Sequence, residues 1–411
     1  MNRPTIELIP LRPAVRADAP DTLDVVLKIT PPPVELNASR PPLNLGLVLD
    51  RSGSMATEKK IDHAREAAIF AVQQLLPSDR VSVTIFDDHV QTLVPNVFAE
   101  NKAQIIDVIR RIRTGNSTAL HNGWKEGAAQ VRQNLIAGGL NRVLLLSDGM
   151  ANVGEKNTDV IAADVNRLAR EAVSTTTMGL GDHFNEDLME AMAKAGDGNY
   201  FYIEGSQQLP DVFQTELQGL IATIGNTVQL GIDPQVGVTV ADILNDLDTM
   251  PDGQLKLSNL ICGMPILVTV RLSVSPIARE ESLCVFRLTW THPNEALPQV
   301  MSVTLSLPSV AGHLWESLAA NVEVEEQVVL LLVARYKKEA TLCLDRGDRE
   351  GAVRSLTAAK QILAGAPATP EVQKEIEAVA QIEAYLANGE WMKFQKQAKY
   401  QTNNRRLSNW R

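Results

Sequence analysis

The stretch from Leu43 to Met55, LNLGLVLDRSGSM, constrains the fold of this chain more than any other. Its apolar run from Leu45 to Leu49 ends at Asp50, and the turn that follows carries Ser52 and Ser54. A short apolar run that ends in a turn is typical of a parallel strand buried on both faces. The sequence therefore predicts a strand that stops at the carboxyl edge of a sheet and places several oxygen-bearing side chains there.

Short strand-like runs alternate with helical periods from Pro42 to about Leu220. The later strand-like runs are Val81 to Phe86, Val143 to Leu146 and Thr175 to Leu180, and helical apolar stripes lie between them. This alternation predicts an α/β fold with a doubly wound, mostly parallel sheet. The run from Gln91 to Val94 is predicted to be an antiparallel edge strand of the same sheet.

Two later stretches carry the same kind of side chain as the first turn. Thr118 lies just before a predicted helix, and Asp148 ends a second apolar run. Ligands of open α/β sheets bind in the crevice at the carboxyl ends of the strands. Carboxylates and hydroxyls are the hard oxygen donors that a small divalent cation prefers. Taken alone, Asp50, Ser52 and Ser54 are also ordinary turn and N-cap residues, so a solvated turn is the competing interpretation.

In order and spacing, these stretches together resemble the metal-ion-dependent adhesion site (MIDAS) of the von Willebrand factor A superfamily. On this basis the chain, from roughly Pro42 to Leu220, is identified as a member of bacterial, multidomain type with an intact motif. One departure is that Asn116 and Ser117 stand where many relatives have a second glycine. The resemblance implies a Mg²⁺, Mn²⁺ or Ca²⁺ site held directly or through water by Asp50, Ser52, Ser54, Thr118 and Asp148.

The segments that flank this region have the pattern of an all-β domain. Short strands within residues 1–40 cannot be stable alone, so they must pair with strands elsewhere in the chain. After Gly225, short strands separated by Pro and Gly turns follow at the spacing of a sandwich. We predict a discontinuous β-sandwich, residues 1–40 plus 226–310, into which the von Willebrand factor A domain, residues 42–224, is inserted.

The last part of the chain is predicted to be helical. Three amphipathic stripes between residues 320 and 390 indicate three helices, without the regular period of a repeat array. Residues 391–411 carry six Lys and Arg side chains and no acid. That composition predicts a solvated, disordered basic tail.

Composition limits the classes of partner and the cell compartment. A chain of 411 residues is expected to form about two or three domains. A net charge of −10 argues against broad nucleic-acid or anionic-membrane binding. No apolar stretch is long enough for a membrane span, the N-terminal sequence is not that of a secretory signal, and three cysteines do not form a disulfide framework. A cytoplasmic protein is expected.

The resemblance implies a non-enzymatic adaptor in which the cation binds an Asp or Glu carboxylate of a partner protein. Bacterial relatives act beside MoxR-type AAA+ ATPases or with signalling kinases and phosphatases, and nothing in this sequence selects between these partners. A scaffold with a merely stabilising metal is the second interpretation.

A metal-dependent hydrolase is the third interpretation, because an open metal position can activate water. It would need a general base, for which His63 and His121 are the candidates. We expect His121 to be a solvent-facing polar residue, and Asp87-Asp88-His89 to be a hairpin turn. The chain has no G-x-S-x-G, P-loop or H-E-x-x-H motif, so enzyme activity is not expected.

Overall fold

Among the residues that the structure describes, three strands precede the buried run that begins at Leu43. The computed structural model describes residues 3–33, 40–137, 139–276, 281–292, 295 and 297–408. The chain divides into two compact units, an inserted unit of residues 37–222 and a flanking unit of residues 1–36 and 223–411. The first strands belong to the flanking unit: β1 (Thr5–Pro10), β2 (Val15–Arg16) and β3 (Asp21–Thr30).

The inserted unit alternates strands with helices along its whole length. Short 3₁₀ segments, Gly53–Lys59 and Ser206–Gln208, lead into its first and last helices. In chain order its elements are β4 (Leu43–Asp50), α1 (Lys60–Gln74), β5 (Arg80–Phe86), β6 (Val90–Phe98), α2 (Lys102–Arg110), α3 (Leu120–Arg132), β7 (Leu140–Ser147), α4 (Thr158–Arg170), β8 (Ser174–Leu180), α5 (Glu186–Ala195), β9 (Tyr200–Ile203) and α6 (Leu209–Ile221).

One six-stranded sheet runs through the inserted unit in the order β6-β5-β4-β7-β8-β9. All neighbours are parallel except β6, which pairs antiparallel with β5 at the edge. Every residue of β4 and β7 is buried, as expected for central strands covered by helices on both faces. The predicted doubly wound α/β fold and its antiparallel edge strand are confirmed.

The register of the sheet brings the ends of its central strands together. Asp50 at the end of β4 lies opposite Phe86 at the end of β5. On its other side Leu49 lies opposite Leu146, so that Ser147 and the loop after β7 follow at the same edge. The carboxyl ends of the central strands therefore form one edge, where the candidate site lies.

The flanking unit resumes directly after α6, and its described residues after that point form eight strands. Two sheets have the orders β1-β3-β14-β11 and β12-β10-β15-β16, β13 pairs with β10, and β17 pairs with β2. The strands are β10 (Thr223–Pro234), β11 (Val238–Ile243), β12 (Leu255–Lys256), β13 (Leu260–Ile261), β14 (Ile266–Val274), β15 (Glu281–Thr291), β16 (Pro298–Leu307) and β17 (Ser309–Val310).

Both sheets of the flanking unit contribute to one hydrophobic core. Val25 and Val270 come from the first sheet, and Leu230 and Phe286 come from the second. All four side chains are completely buried. A core shared by two antiparallel sheets is a β-sandwich, and β3 lies inside it between β1 and β14. The predicted sandwich, completed by the N-terminal strands, is present.

The chain ends in a helical region. Gly347 adopts a left-handed φ of 77° in the turn between Asp345 and Arg349, and Asp348 caps the next helix by accepting a hydrogen bond from the Gly351 N–H. No helix of the described residues is long and apolar enough to cross a membrane. The helices are α7 (Gly312–Ser317), α8 (Val322–Asp345), α9 (Arg349–Ala364), α10 (Pro370–Asn388) and α11 (Trp391–Leu407).

The prediction of a disordered basic tail is wrong for most of residues 391–411. Residues Trp391–Leu407 form α11, in which Phe394 and Ala398 are completely buried. Arg405 donates a hydrogen bond to Glu375 of α10 at 2.9 Å. The tail has no acid of its own, but other segments supply the acids, which local composition does not show. Residues 409–411 of the predicted tail lie outside the described residues.

Candidate metal centre

Asp50 is completely buried at the end of β4, and both of its carboxylate oxygens accept hydrogen bonds. Oδ1 accepts the Ser52 N–H at 2.7 Å, and Oδ2 accepts the Ser147 hydroxyl at 2.5 Å. Burial raises the pKa of Asp50 to about 6, the nearby Asp148 carboxylate acts in the same direction, and the serine hydrogen bonds oppose both. The fold thus keeps this carboxyl group in place although burial disfavours its charge.

The two serines connect the first turn to the loop after β7. The hydroxyl oxygens of Ser52 and Ser54 lie 3.1 Å apart. Ser54 Oγ donates to Asp148 Oδ1 at 2.6 Å. Asp148 and Ser52 are buried, whereas Ser54 is exposed. The Ser54 hydroxyl therefore lies between the buried Asp148 carboxylate and solvent.

The loop that carries Thr118 is held by backbone contacts to both neighbouring loops. The Gly53 N–H donates to the Asn116 carbonyl at 2.7 Å. The Thr118 N–H donates to the Asn152 side chain at 2.8 Å, and its carbonyl accepts the Asn152 N–H at 3.1 Å. Asn116 thus contributes a main-chain carbonyl to this contact, which does not depend on its side chain. The three loops form one hydrogen-bonded assembly.

A space beside Gly149 is shared by the three hydroxyls. A Cβ built on Gly149 would lie 3.1 Å from Thr118 Oγ1, 3.6 Å from Ser54 Oγ and 3.8 Å from Ser52 Oγ. The neighbouring residue, Asp148, adds a carboxylate to the same loop. Three hydroxyls surround a space that a methyl group would fill, and the Asp50 and Asp148 carboxylates are hydrogen-bonded to the same turn. These are the oxygen donors that a small divalent cation takes. The structure thus places the five predicted residues together.

Lys60 is part of this constellation, and sequence reasoning missed it. Its Nζ lies 2.9 Å from Asp148 Oδ2, and the residue is only 7% exposed. In the sequence Lys60 stands at the start of a helix beside other charged residues, which is the ordinary pattern of a solvated helix end. No local signal distinguishes it.

The expectation that His121 faces solvent is wrong. His121 is 4% exposed, its Nε2 lies 3.1 Å from Asp164 Oδ2, and its ring stacks on Trp124 with 5.9 Å between centroids. Burial lowers the pKa of His121, while the charge of Asp164 opposes that shift. The side chain lies on the packed face of α3. His63, the other candidate base, has its Nδ1 3.3 Å from the Glu66 carboxylate.

Asp87-Asp88-His89 lies in the turn between β5 and β6, as predicted. These residues form a group with potential metal-ligand atoms within 4.8 Å of one another. However, Asp87 pairs with Arg51 at 3.0 Å and accepts the His89 N–H at 2.7 Å. The Asp87 carboxylate therefore stabilises the loop, and the group alone indicates no ligand.

Comparison with known proteins finds a family model that is similar to most of the inserted unit. Residues 44–215 match the family model of the von Willebrand factor type A domain. An uncharacterized protein of Synechocystis sp., sll0103, is 26% identical over 339 residues, which cover 78% of this chain and 79% of the relative. The similarity to that relative extends well beyond the inserted unit.

Other relatives match a smaller part of this chain. The uncharacterized protein YfbK of Escherichia coli is 27% identical over 194 residues, or 47% of this chain and 34% of YfbK. Human inter-alpha-trypsin inhibitor heavy chain H3 is 23% identical over 202 residues, or 47% of this chain and 22% of that protein. The chain therefore corresponds to about a third or less of these two relatives.

Two solved structures share the fold over nearly the whole chain. A von Willebrand factor type A protein from Catenulispora acidiphila has a TM-score of 0.71 at 13% identity and covers 93% of this chain and 90% of its own. The ArnB paralog VWA2 from Sulfolobus acidocaldarius has a TM-score of 0.62 at 16% identity and covers 98% of both chains. At such identities the likeness concerns the fold alone.

Proposed function

We propose that the von Willebrand factor type A domain formed by residues 44–215 is a metal-dependent protein-binding module with an intact adhesion site. In this proposal a divalent cation links the domain to an Asp or Glu carboxylate of a partner protein. The observation that carries the proposal is the convergence of three hydroxyls beside Gly149. In the same loops, Ser54 donates to the Asp148 carboxylate and Ser147 donates to the Asp50 carboxylate. Domains of this family mediate metal-dependent protein interactions, which supports the same conclusion.

The residues of the site have distinct roles in this proposal. Asp50 and Asp148 would neutralise the cation, while Ser52, Ser54 and Thr118 would bind it without adding charge. Five protein oxygens leave about one position of an octahedral Mg²⁺ for an external ligand. When bound, Mg²⁺, or Mn²⁺ or Ca²⁺ in its place, would supply a Lewis-acidic position that favours an anionic oxygen.

The exposed rim supports access by a macromolecular ligand. Ser54 is exposed, and Met150, two residues after Asp148, is 54% exposed. A flexible thioether side chain beside a polar site adapts to different apolar contacts. A partner carboxylate at the cation and an apolar partner surface on Met150 are therefore compatible with each other.

Binding without catalysis is the better-supported use of the site. A hydrolase would need a base within hydrogen-bonding reach of a metal-bound water. His121 contacts Asp164 and Trp124, and His63 contacts Glu66. Both candidate bases thus contact residues other than the five site residues. The cytoplasmic location, the bacterial type and a MoxR-type ATPase, kinase or phosphatase as partner stay predictions.

The proposal is tested by a pull-down from native cytoplasm with the wild-type chain, Asp50→Ala and Asp88→Ala, each in Mg²⁺ and in chelator. We expect a partner that wild type and Asp88→Ala retain in Mg²⁺ and that chelator or Asp50→Ala releases. Asp88→Ala is the matched control, because it removes an acid from the same edge outside the site. A partner set that ignores both changes would refute metal-bridged binding and favour a scaffold role.

A further inference from the structure

Lys60 brings a buried positive charge to the residues that would hold the cation. We propose that Lys60 is an internal counter-cation of the site. Before metal binds, its ammonium group stabilises the Asp148 carboxylate. The same positive charge lowers the affinity of the site for a divalent cation. It also increases the affinity of the cation-bound site for an additional carboxylate. This inference rests on the proposed function and names a regulation of the same site.

The contacts of Asp148 carry the first step. Lys60 Nζ lies 2.9 Å from Asp148 Oδ2, and Ser54 donates to Asp148 Oδ1 at 2.6 Å. Asp148 is completely buried, and Lys60 is 7% exposed. Because both partners are shielded from solvent, their attraction is much stronger than that of a surface pair. A cation that binds Asp148 must therefore share this carboxylate with the ammonium group.

The surrounding backbone directs the lysine inward. The aliphatic end of Lys60 passes over Gly181, where a built Cβ would lie 3.9 Å from Cε and 3.6 Å from Nζ. Immediately before Lys60, Glu58 and Lys59 have φ values of 50° and 55°. Two successive non-glycine residues in the left-handed region are uncommon, and such conformations cluster at functional sites. Ser206 Oγ donates to the Glu58 carbonyl at 2.9 Å and stabilises this segment.

The charges of the group determine the direction of the effect. Asp50 and Asp148 as carboxylates would balance a divalent cation by themselves. With the Lys60 ammonium added, the cation-bound site carries a net positive charge, which a carboxylate from a partner would neutralise. The same ammonium repels the cation when no carboxylate is present. Because of Lys60, binding of the cation increases the affinity of the site for the carboxylate, and binding of the carboxylate increases its affinity for the cation. This is a positive coupling between two ligands.

The test is a calorimetric Mn²⁺ titration of the full chain in four forms: wild type, Lys60→Met, Lys60→Arg and Lys59→Met. Lys60→Met keeps most of the aliphatic chain but removes the charge. We expect it to bind Mn²⁺ roughly tenfold more tightly than wild type. Lys60→Arg retains the charge, and Lys59→Met removes a neighbouring exposed charge, so both are expected to bind within about twofold of wild type.

The same titrations in sodium acetate and in sodium chloride of equal ionic strength test the coupling, after correction for Mn²⁺–acetate association in solution. Acetate is expected to strengthen Mn²⁺ binding to wild type more than to Lys60→Met. Lys60→Gln repeats the charge removal in case Lys60→Met does not fold, which thermal unfolding checks. Equal Mn²⁺ affinity of wild type and the neutral variants would overturn this inference alone. Absence of Mn²⁺ binding in every form would overturn the proposed function as well.

Discussion

At the residue scale, Asp50 combines complete burial with a charge that the proposed function requires. Its oxygens accept hydrogen bonds from the Ser52 N–H and the Ser147 hydroxyl, yet burial raises its pKa to about 6. Without a cation, ionisation of Asp50 therefore opposes folding at neutral pH. An uncharged residue at this position would make the metal-free protein more stable. The proposed metal binding explains why the chain has the destabilising Asp50 there.

We predict that Asp50→Asn stabilises the metal-free protein at neutral pH. The folded-state pKa of Asp50 lies above its unfolded value of 3.8, so wild type loses stability as pH rises from about 4 to about 6. Asparagine carries no charge, and its amide oxygen can accept the Ser52 N–H while its amide nitrogen donates to the Ser147 hydroxyl oxygen. The gain is at most about 3 kcal/mol at pH 7.5 and is smaller near pH 4.5.

Urea unfolding of both forms in EDTA at these two pH values measures this difference. Both forms share all other titratable groups, so the contributions of those groups to the pH dependence of stability cancel in the difference between the two forms. In saturating Mg²⁺ the order is expected to reverse, because the cation stabilises only the form with the complete carboxylate pair. An equal loss of stability at both pH values would show that Asp50 has a purely structural role.

At the element scale, α11 depends on ionic contacts with helices that precede it in the chain. Glu375 of α10 pairs with Arg405 of α11 at 2.9 Å and with Lys337 of α8 at 2.5 Å. All three side chains are buried. A buried charge is tolerated only where it is paired, so Glu375 allows two cations to remain between these helices. The carboxylate, together with the buried Phe394, fixes the position of α11.

We predict that Glu375→Gln lowers the free energy of unfolding of the flanking unit by about 3–5 kcal/mol, because it removes the buried carboxylate that pairs with both Lys337 and Arg405. The matched control is Glu383→Gln on the same helix. Glu383 pairs with Lys360 at 2.7 Å in an exposed position, so its loss is expected to cost less than about 1 kcal/mol. Urea denaturation measures both, and equal effects would contradict the importance of burial.

At the scale of the whole molecule, the flanking unit is assembled from distant parts of the chain. β3 pairs with β1 on one side and with β14 on the other. Asp24 of β3 and Arg271 of β14, 247 positions apart, form two hydrogen bonds of 2.8 and 2.9 Å. The entropy cost of closing a loop grows only slowly with its length, so a long insertion between two paired strands is tolerated.

We predict that removal of residues 1–33 disrupts the sandwich but leaves the sheet of the inserted unit folded. Without β3, β14 loses its hydrogen-bonding partner along nine residue pairs and the core loses buried side chains such as Val25 and Leu27. Hydrogen exchange is expected to show fast exchange of β14 amides and continued protection of β4. Removal of residues 1–10, which deletes only the edge strand β1, is the milder control. Unchanged protection of β14 would refute the prediction.

Much of the fold and the candidate site was predictable because it depends on local patterns. The runs in β4 and β7 are apolar throughout, which is sufficient to indicate strands covered on both faces. Asp50, Ser52 and Ser54 share one turn, so their proximity follows from chain connectivity. Parallel strands end at the same edge of a sheet, and this rule already places Asp148 near that turn.

Only the tertiary structure decided which charged side chains become buried and with what partners. Lys60 meets Asp148, 88 positions away, His121 packs on Trp124 beside Asp164, and the basic segment 391–407 obtains acids from other helices. Local composition predicts solvent exposure for such residues, because an isolated charge is more stable in water. A distant partner reverses that preference, since the ion pair and the burial of neighbouring apolar groups offset the loss of hydration. Burial of charge is therefore a property of the folded arrangement, and no local window of the sequence contains it.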